Sequence, residues 1–359
     1  MRLLGSVAFV MAAGVLCAPA SGAVMLEYQG AFKLPNAFDW GASGAAFYPP
    51  GDGGSGSLKL LGHPWYSNVG EVGIPTDLKK KADGYGVGDL AVAAILDAPI
   101  NANPPYEPGW GSSLEYLPAT DKLYLGRPTG GQGYCDPDGA NPFGPADGFP
   151  DSRRIGLYAL EIPAAWAAAN LSHAGQVMGT GASWAQYGYG PDLYAYNPHS
   201  FTGGLHDSVT TLLEYNSADP MVNFDRDDEW LGAAWVEVGG EALLLIAGGK
   251  DVTNMGNDPD APDDKHAWML AYSPADLAAV AAGSMNPDQP QPAGQFDIQE
   301  LMFSGTAVRS MAYDRGNNVL YAVESVSSNL AVHVWHVTPE PAAAAMLLLG
   351  ALPVLRRRR

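Results

Sequence analysis

Three loops rich in carboxylates carry the clearest chemical signal in this 359-residue sequence. Carboxylates packed this densely repel one another unless water or a cation lies between them. Ca²⁺ takes about six to eight oxygens from such side chains and from backbone carbonyls. No loop has the spacing of an EF-hand, so the loops are either solvated surface or, in at least one case, an irregular calcium site. The candidate ligands are Asp136, Asp138, Asp147, Asp225, Asp227, Asp258 and Asp260.

A few histidines and aromatic residues form a second group of candidates. His63, Trp65, His199 and His206 fall in predicted loops. If the strands are arranged in a ring, these residues could reach one end of its central channel, although such residues more often serve packing. Aromatic rings in loops can stack on the apolar faces of sugars, but in repeated β-sheet folds they usually pack between sheets. The rings considered for sugar contact are Trp65, Tyr66, Trp110, Trp184, Tyr187 and Tyr189.

Motifs of nucleophilic, metal-dependent and P-loop enzymes are absent from the sequence, including G-x-S-x-G, H-E-x-x-H and the P-loop. This absence disfavours an enzyme that a motif would reveal, but active sites also arise on unrelated folds without one. We therefore predict a binding or structural protein. The alternative is a polysaccharide hydrolase or lyase that uses loop carboxylates; a redox quinoprotein lacks any cofactor motif.

The chain is strongly acidic, with 38 Asp and Glu against 19 Lys and Arg and a net charge of −19. Such a surface repels nucleic acid and anionic membrane and attracts cations or basic partners. Only Cys135 lies outside the predicted leader peptide, so an intramolecular disulfide is excluded from the predicted mature protein. Stability must come from the apolar core, with bound ions as a further source.

A unit of strand, tight turn, strand, loop and strand recurs along the chain. Its four legible copies span residues 45–75, 114–163, 233–274 and 311–337. The strands are apolar on nearly every residue, which is typical of sheets covered on both faces. Because a single small sheet cannot bury both faces alone, the recurrence predicts an all-β fold, a β-propeller of about five to seven blades. A pair of β-sandwiches is the competing architecture.

The spacing of the copies leaves room for a less legible blade between them. Residues 155–163 are assigned as the third strand of the second unit. Two alanine-rich stretches that begin with proline, residues 163–171 and 274–282, predict short helices at blade corners.

The first 23 residues have the three regions of a secretory signal peptide: Arg2, an apolar stretch at 3–16, and small residues that end at Ala23. We predict cleavage after Ala23. A lipoprotein signal is disfavoured because the bulky Leu16 directly precedes Cys17. The predicted mature domain, residues 24–338, then has a net charge of about −24 if Glu340 is counted, once Arg2 and the four terminal arginines are removed.

The last residues form a tripartite tail. Pro339, Glu340 and Pro341 precede an uncharged stretch at 342–355, and Arg356, Arg357, Arg358 and Arg359 follow it. As a helix the fourteen uncharged residues span about 21 Å, whereas a bilayer core is about 30 Å thick. The arginines favour the cytoplasmic face. The tail therefore predicts transient contact with a membrane.

This tail, residues 339–359, resembles the PEP-CTERM sorting signal of Gram-negative bacteria. The resemblance implies recognition by a membrane-embedded exosortase, removal of the tail near Pro339–Pro341, and delivery to the cell surface or the exopolysaccharide matrix. Exopolysaccharide or surface proteins would then be the partners. The body resembles exported propeller-like proteins that often carry the same tail, through the repeated unit and residues 228–235, and that resemblance implies no particular activity.

Overall fold

Short antiparallel strands dominate the chain. The computed structural model describes residues 15–17, 24–38, 41–62, 68–101, 113–127, 132–141, 143, 155–183, 189–202, 205–206, 208–252, 265–324 and 330–339. Within these residues no helix is both long enough and apolar enough to cross a membrane.

Within the described residues the strands form five blades and one separate two-stranded hairpin. The first described strands are β1 (Val15–Cys17) and β2 (Val24–Lys33). Blade 1 consists of β3 (Ala45–Tyr48), β4 (Ser57–Leu61), β5 (Asn68–Gly73) and β6 (Ile95–Asn101); blade 2 of β7 (Ser113–Leu117), β8 (Lys122–Gly126) and β9 (Gln132–Cys135).

Blade 3 contains β10 (Tyr158–Glu161), β11 (Met178–Gly181) and β12 (Leu193–Tyr196). After a two-stranded hairpin of β13 (Phe201–Thr202) and β14 (Leu205–His206), β15 (Val209–Leu213) completes that sheet. Blade 4 consists of β16 (Glu229–Val238), β17 (Glu241–Asp251), β18 (Lys265–Tyr272) and β19 (Gly294–Asp297). Blade 5 contains β20 (Val308–Asp314), β21 (Val319–Glu324) and β22 (Ala331–Pro339).

Helices are few and short. α1 (Ala164–Asn170) follows β10, and α2 (Pro274–Ala281) follows β18. In α2 the Ser273 side chain caps the first turn by accepting a hydrogen bond from the Ala275 amide at 3.2 Å, and a proline occupies the first position. The other helical segments of the described residues are a helical turn at Gly51–Gly54 and 3₁₀ turns at Asn36–Phe38, Lys81–Asp83, Val87–Asp89 and Gln299–Leu301.

The first strands of the five blades surround a common axis. β3 packs beside β7, β7 beside β10, β10 beside β16, β16 beside β20, and β20 beside β3, so the ring closes. The chain is therefore a five-bladed β-propeller. Because each inner strand leads into the turn to its neighbouring strand, the five turns after the inner strands gather at one mouth of the channel.

Ring closure joins the two ends of the folded domain. β2 pairs antiparallel with β22, from Val24 opposite Pro339 to Lys33 opposite Ala331, and so adds a fourth strand to blade 5; β1 lies outside β2. The register shifts between Tyr28 and Gly30. Gly30 has a φ of +132°, and a Cβ there would lie 2.9 Å from the Lys79 carbonyl oxygen, so this β-bulge requires glycine.

The apolar core is divided among the five gaps between neighbouring blades. Blade 4 shows how strands serve two gaps at once: Ala234 and Val236 on β16 face blade 5, whereas Ala233 and Trp235 face blade 3. Successive side chains of a strand point to opposite faces of the sheet. A blade covered on both sides therefore needs apolar residues on both faces, and for this reason most strands lack a regular alternation of polar and apolar residues.

Much of the predicted fold is confirmed. The four repeats correspond to blades 1, 2, 4 and 5, the gap between them holds blade 3, and both predicted helices form. The assignment of residues 155–163 was wrong. β10 is the inner strand of blade 3, and the third strand of blade 2 is β9, which pairs with β8. The sequence between β9 and β10 is rich in glycine and proline. A hydrophobic pattern alone does not show which sheet a strand joins.

Candidate functional site

All five blades contribute to a cavity of about 210 Å³ at the mouth of the channel where the inner strands end. Each blade supplies at least one residue to its lining: Phe47 from blade 1, Glu115 from blade 2, Glu161 from blade 3, Trp235 from blade 4 and Arg315 from blade 5. We call this space the axial cavity. Because every blade contributes to its lining, the axial cavity forms only when the whole ring is assembled.

Arg315 lines the axial cavity and connects three blades. Its Nε donates to Glu161 Oε2 at 2.7 Å, its Nη2 donates to the Glu161 carbonyl at 3.0 Å, and its Nη1 donates to the Trp235 carbonyl at 3.1 Å. Glu237 Oε2 lies 3.6 Å from Nη1. The planar guanidinium can satisfy these acceptors together because its donors form a fixed fork.

A tight turn after β20 orients Arg315. Asp314 Oδ1 accepts hydrogen bonds from the amides of Gly316 and Asn317 at 2.9 and 3.1 Å, and Asp314 Oδ2 accepts one from Asn317 Nδ2 at 2.7 Å. Asn318 has a φ of +55°, a conformation that asparagine tolerates well. The Asp314 carboxylate is therefore used in hydrogen bonds within the turn, and the turn holds Arg315 toward the axial cavity.

Glu115 is the most perturbed acid of the axial cavity. Burial raises its pKa from 4.5 to about 8, and the charge of Glu161 adds to this effect. Arg315 and backbone hydrogen bonds from Tyr116 and Glu161 oppose the shift but do not cancel it. At neutral pH Glu115 is consequently mostly protonated, so its carboxyl group can donate one hydrogen bond and accept others.

Aromatic rings and turns form the remaining walls. Tyr116 and Tyr313 line the axial cavity, and the Tyr313 hydroxyl donates to the Glu237 carbonyl at 2.7 Å. Gly56 approaches Phe47 so closely that a Cβ would lie 2.4 Å from the ring. The cavity therefore combines carboxyl, guanidinium and amide groups with ring faces, a combination suited to a small hydroxylated ligand.

The second feature of interest is an aspartate cluster in blade 4. Carboxylate oxygens of Asp225, Asp227 and Asp251 lie within 4.8 Å of one another, and Asp225 and Asp251 are buried. Asp225 and Asp227 were predicted ligands. Asp251 was not, because it lies at the end of β17 and reaches the others only through the pairing of β16 with β17.

The buried Asp228 is hydrogen-bonded to the backbone of this aspartate cluster. Asp228 accepts hydrogen bonds from the amides of Asp225 and Asp251, both at 3.0 Å, and pairs with Lys250 at 3.2 Å. Burial raises the pKa of Asp228 to about 6, while Lys250 and the two amides oppose this rise. Carboxylate oxygens are the ligands that Ca²⁺ prefers, and three of them supply part of the coordination that it needs.

The other predicted calcium ligands are not brought into this cluster. Asp136 pairs with Lys122 and accepts a hydrogen bond from Asn141 Nδ2 at 2.6 Å, whereas Asp138 accepts one from the Ala140 amide at 2.9 Å. Both therefore stabilise their own loop after β9. Asp147, Asp258 and Asp260 lie outside the described residues.

The predicted ligand residues that the structure describes, His199 and His206, follow β12 of blade 3 and contact aromatic residues of blades 2 and 3. His199 Nε2 lies 2.6 Å from the Tyr124 hydroxyl and packs edge-on against Tyr134, and burial lowers the pKa of His199. His206 packs against Tyr196, with its Nδ1 3.2 Å from the Asn197 carbonyl oxygen. Neither histidine lines the axial cavity. His63 and Trp65 lie outside the described residues.

Of the six aromatic residues considered for sugar contact, the structure describes Tyr189. It is 42% exposed and packs beside Phe224, away from the axial cavity. The other five, Trp65, Tyr66, Trp110, Trp184 and Tyr187, lie outside the described part of the chain.

A buried polar chain crosses blade 5 at the ring closure. The Tyr28 hydroxyl lies 3.0 Å from His333 Nδ1, and His333 Nε2 lies 3.0 Å from Glu324 Oε2. Glu324 also accepts hydrogen bonds from the amides of Phe303, Ser304 and Gly305. Burial alone would raise the pKa of Glu324, but these bonds and the charge of His333 lower it to about 2. The hydrogen-bonded residues Tyr28, His333 and Glu324 are closed to solvent, so their role is structural.

Comparisons with known proteins agree only at the level of fold. No family model and no curated protein match the chain. A provisionally assigned glycosidase from Bacteroides thetaiotaomicron VPI-5482 has a TM-score of 0.44 at 13% identity, over 89% of each chain. A provisionally assigned glycoside hydrolase from Parabacteroides distasonis ATCC 8503 has a TM-score of 0.41 at 15% identity, over 86% of this chain and 88% of that one.

The hydrazine synthase of Kuenenia stuttgartiensis has a TM-score of 0.35 at 7% identity, over 80% of this chain and 82% of that one. Likenesses at these levels carry no argument about activity. The function proposed below is therefore inferred from the chemistry of this chain's own residues.

Proposed function

We propose that this protein is an exported β-propeller of the cell surface or extracellular matrix that binds carbohydrate in the axial cavity. The observation that carries the proposal is the composition of that cavity. Glu115, Glu161 and Arg315 place hydrogen-bonding groups beside the rings of Tyr116 and Tyr313. Sugars present hydroxyl groups at their edges and apolar C–H faces above and below, so they need this pairing of polar groups and rings.

Carbohydrate binding is tested by NMR titration of the purified protein with monosaccharides and with matrix polysaccharide fragments. We expect saturable shifts that Glu161→Gln weakens about tenfold, because this change removes charge from an acceptor of the cavity while it keeps the side chain's size. The exposed Glu300 provides a matched control, and Glu300→Gln should bind like the unaltered protein. Equal binding by both variants would contradict the proposal.

The destination in this proposal depends on the leader peptide that ends at Ala23 and on the tail from Pro339 to Arg359. Expression with and without an exosortase tests it. In the presence of the exosortase we expect a mature protein that mass spectrometry shows to lack residues 1–23 and the tail. A precursor that stays intact and membrane-bound in such cells would contradict the sorting proposal without affecting the binding proposal.

A polysaccharide hydrolase on the same scaffold is the second candidate, and one observation favours it. Protonated Glu115 and the carboxylate of Glu161 share one cavity, and glycoside hydrolysis generally uses one carboxylic acid and one carboxylate. The proposed roles are Glu115 as general acid and Glu161 as base or nucleophile. Release of reducing ends from matrix polysaccharide, abolished by Glu115→Gln, would establish this activity. Binding without such release would leave the protein as a binding module.

The aspartate cluster supports a further proposal, that Ca²⁺ stabilises blade 4 through Asp225, Asp227 and Asp251. A calcium titration by calorimetry, with parallel melting curves, tests it. Ca²⁺ at about 100 times its dissociation constant would stabilise the fold by about 2.7 kcal/mol. Asp225→Asn should remove this effect, whereas Asp219→Asn, an exposed change outside the cluster, should retain it. An absence of calcium-dependent stabilisation would overturn the calcium proposal.

A further inference from the structure

The axial cavity has an excess of acidic groups. Among the described residues of its lining, Glu115, Glu161 and Asp314 are acidic and Arg315 alone is basic, and Glu237 lies beside Arg315. Arg315 is engaged with Glu161 at 2.7 Å and lies 3.6 Å from Glu237. Among the described residues no ion pair joins Glu115 to a basic side chain. One acid of the cavity therefore lacks a cation of its own.

Resting on the proposed carbohydrate-binding function, we propose that the axial cavity selects a sugar unit that carries a free ammonium group, an amino sugar rather than a neutral one. The ammonium group binds against Glu115, and the sugar's hydroxyl groups meet the acceptors and donors of Glu161 and Arg315.

The cost of ionising Glu115 explains the selectivity. In the empty cavity burial and the neighbouring Glu161 keep the Glu115 carboxyl mostly protonated at neutral pH. An ammonium group supplies the missing positive charge, so Glu115 gives up its proton and forms a charge-assisted hydrogen bond. A neutral sugar offers no such compensation and finds a protonated carboxyl group instead.

Proton release makes binding of the ammonium group depend on pH. Affinity should rise with pH below the pKa of Glu115, by about tenfold per unit, because fewer molecules must lose a proton on binding. Charged and titratable groups of four blades lie in or beside the axial cavity that contains Glu115, whereas the described lining from blade 1 contains none. These groups are Tyr116 on β7, Glu161 on β10, Glu237 on β16, and Tyr313, Asp314 and Arg315 on β20 and its turn.

The charge of the whole chain favours the same ligand. With 38 acidic and 19 basic residues, the protein attracts polycations over long range. A polysaccharide with free amino groups is such a polycation. The long-range attraction and the local charge of the cavity therefore select the same class of glycan.

The test is an NMR titration of the full protein with three probes, glucosamine, glucose and putrescine, at pH 6.0 and 7.0. Glucosamine has both a sugar ring and an ammonium group. Glucose has the sugar ring without an ammonium group, and putrescine has ammonium groups without a sugar ring. We expect glucosamine to bind at least about tenfold more tightly than glucose at pH 7.0, and about tenfold more weakly at pH 6.0 than at pH 7.0. Glu115→Gln should remove both the preference and the pH dependence, while Glu300→Gln changes neither.

Each alternative result is decisive. Equal binding of glucose and glucosamine would overturn the ammonium inference and leave the carbohydrate proposal standing. Equal binding of putrescine and glucosamine would overturn both, because the sugar ring would then contribute nothing. Failure of all three probes would overturn carbohydrate binding at the axial cavity. Melting curves of Glu115→Gln confirm that the variant is folded before its binding is compared.

Discussion

At the scale of single residues, Glu115 places an acid where the fold disfavours its charge. Its pKa rises from 4.5 to about 8 on folding, so the folded state holds the proton more tightly than the unfolded state. The contribution of Glu115 to stability is therefore greatest at low pH and falls as the pH rises from about 4.5 to 8. Glu115→Gln removes this loss. We expect the variant to match the natural protein near pH 5 and to exceed it by about 2–3 kcal/mol at pH 9, allowing for solvent screening in the cavity.

Melting temperatures measured from pH 5 to pH 9 check this expectation, with Glu300→Gln as the exposed control. A stability difference between Glu115→Gln and the natural protein that does not vary with pH would contradict it. So would a variant that becomes less stable than the natural protein at high pH.

The same residue shows how far sequence reasoning reaches. Glu115 and Glu161 lie within or at the end of otherwise apolar inner strands, and Arg315 lies in a turn about 150 residues beyond Glu161. Nothing local indicates that three blades bring them together. Asp225 and Asp227 were predictable as a pair because neighbouring residues in one loop stay close in space. Asp251 could not be added without the register of β16 against β17.

At the scale of elements, Glu324 connects the strands that close the ring. It lies on β21, meets His333 on β22, and through it reaches Tyr28 on β2. Its pKa falls from 4.5 to about 2 on folding, so it contributes stability above pH 4.5 that is lost as the pH falls toward 2. We expect Glu324→Gln to cost about 3 kcal/mol at pH 7 and progressively less below pH 4.

Thermal unfolding at pH 7, 4 and 2.5 measures this effect. Glu214→Gln, an exposed change in another blade, is the control and should follow the natural protein throughout. If the cost of Glu324→Gln were the same at all three values of pH, a neutral packing role would replace the ionic one.

Elements also differ in how clearly the sequence reveals them. The long strands of blades 4 and 5 form unbroken apolar runs because each face packs in a different gap between blades. Blade 3 is less legible since β10, β11 and β12 are four residues long and are separated by α1 and turns. The helices were predictable because a proline opens each alanine-rich stretch, and this signal needs no tertiary context.

At the scale of the whole molecule, the number of blades follows from closure of the ring. Between 45 and 79 residues separate the first residues of successive inner strands, so dividing the length by a standard repeat gives too wide a range. The propeller itself was predictable because each sheet needs two covered faces. The count of five required the contacts between β3, β7, β10, β16 and β20.

Arg315 tests whether the ring behaves as one cooperative body. It holds blades 3, 4 and 5 together through Glu161 and the Trp235 carbonyl. Arg315→Met keeps the apolar stem but leaves these acceptors unpaired, so we expect a loss of about 1–2 kcal/mol. Arg315→Lys should recover little of it, because one ammonium group cannot replace the guanidinium fork. Urea unfolding followed by both circular dichroism and tryptophan fluorescence measures the loss.

Both probes should report a single transition, because loosening one contact between blades weakens the closure that all five share. A double variant with Glu161→Gln should cost less than the sum of the single changes, since the two residues share one interaction. Arg226→Met, an exposed change, is the control. Separate transitions for the two probes would show that blades unfold independently, and strict additivity would show that Arg315 and Glu161 do not act as a pair.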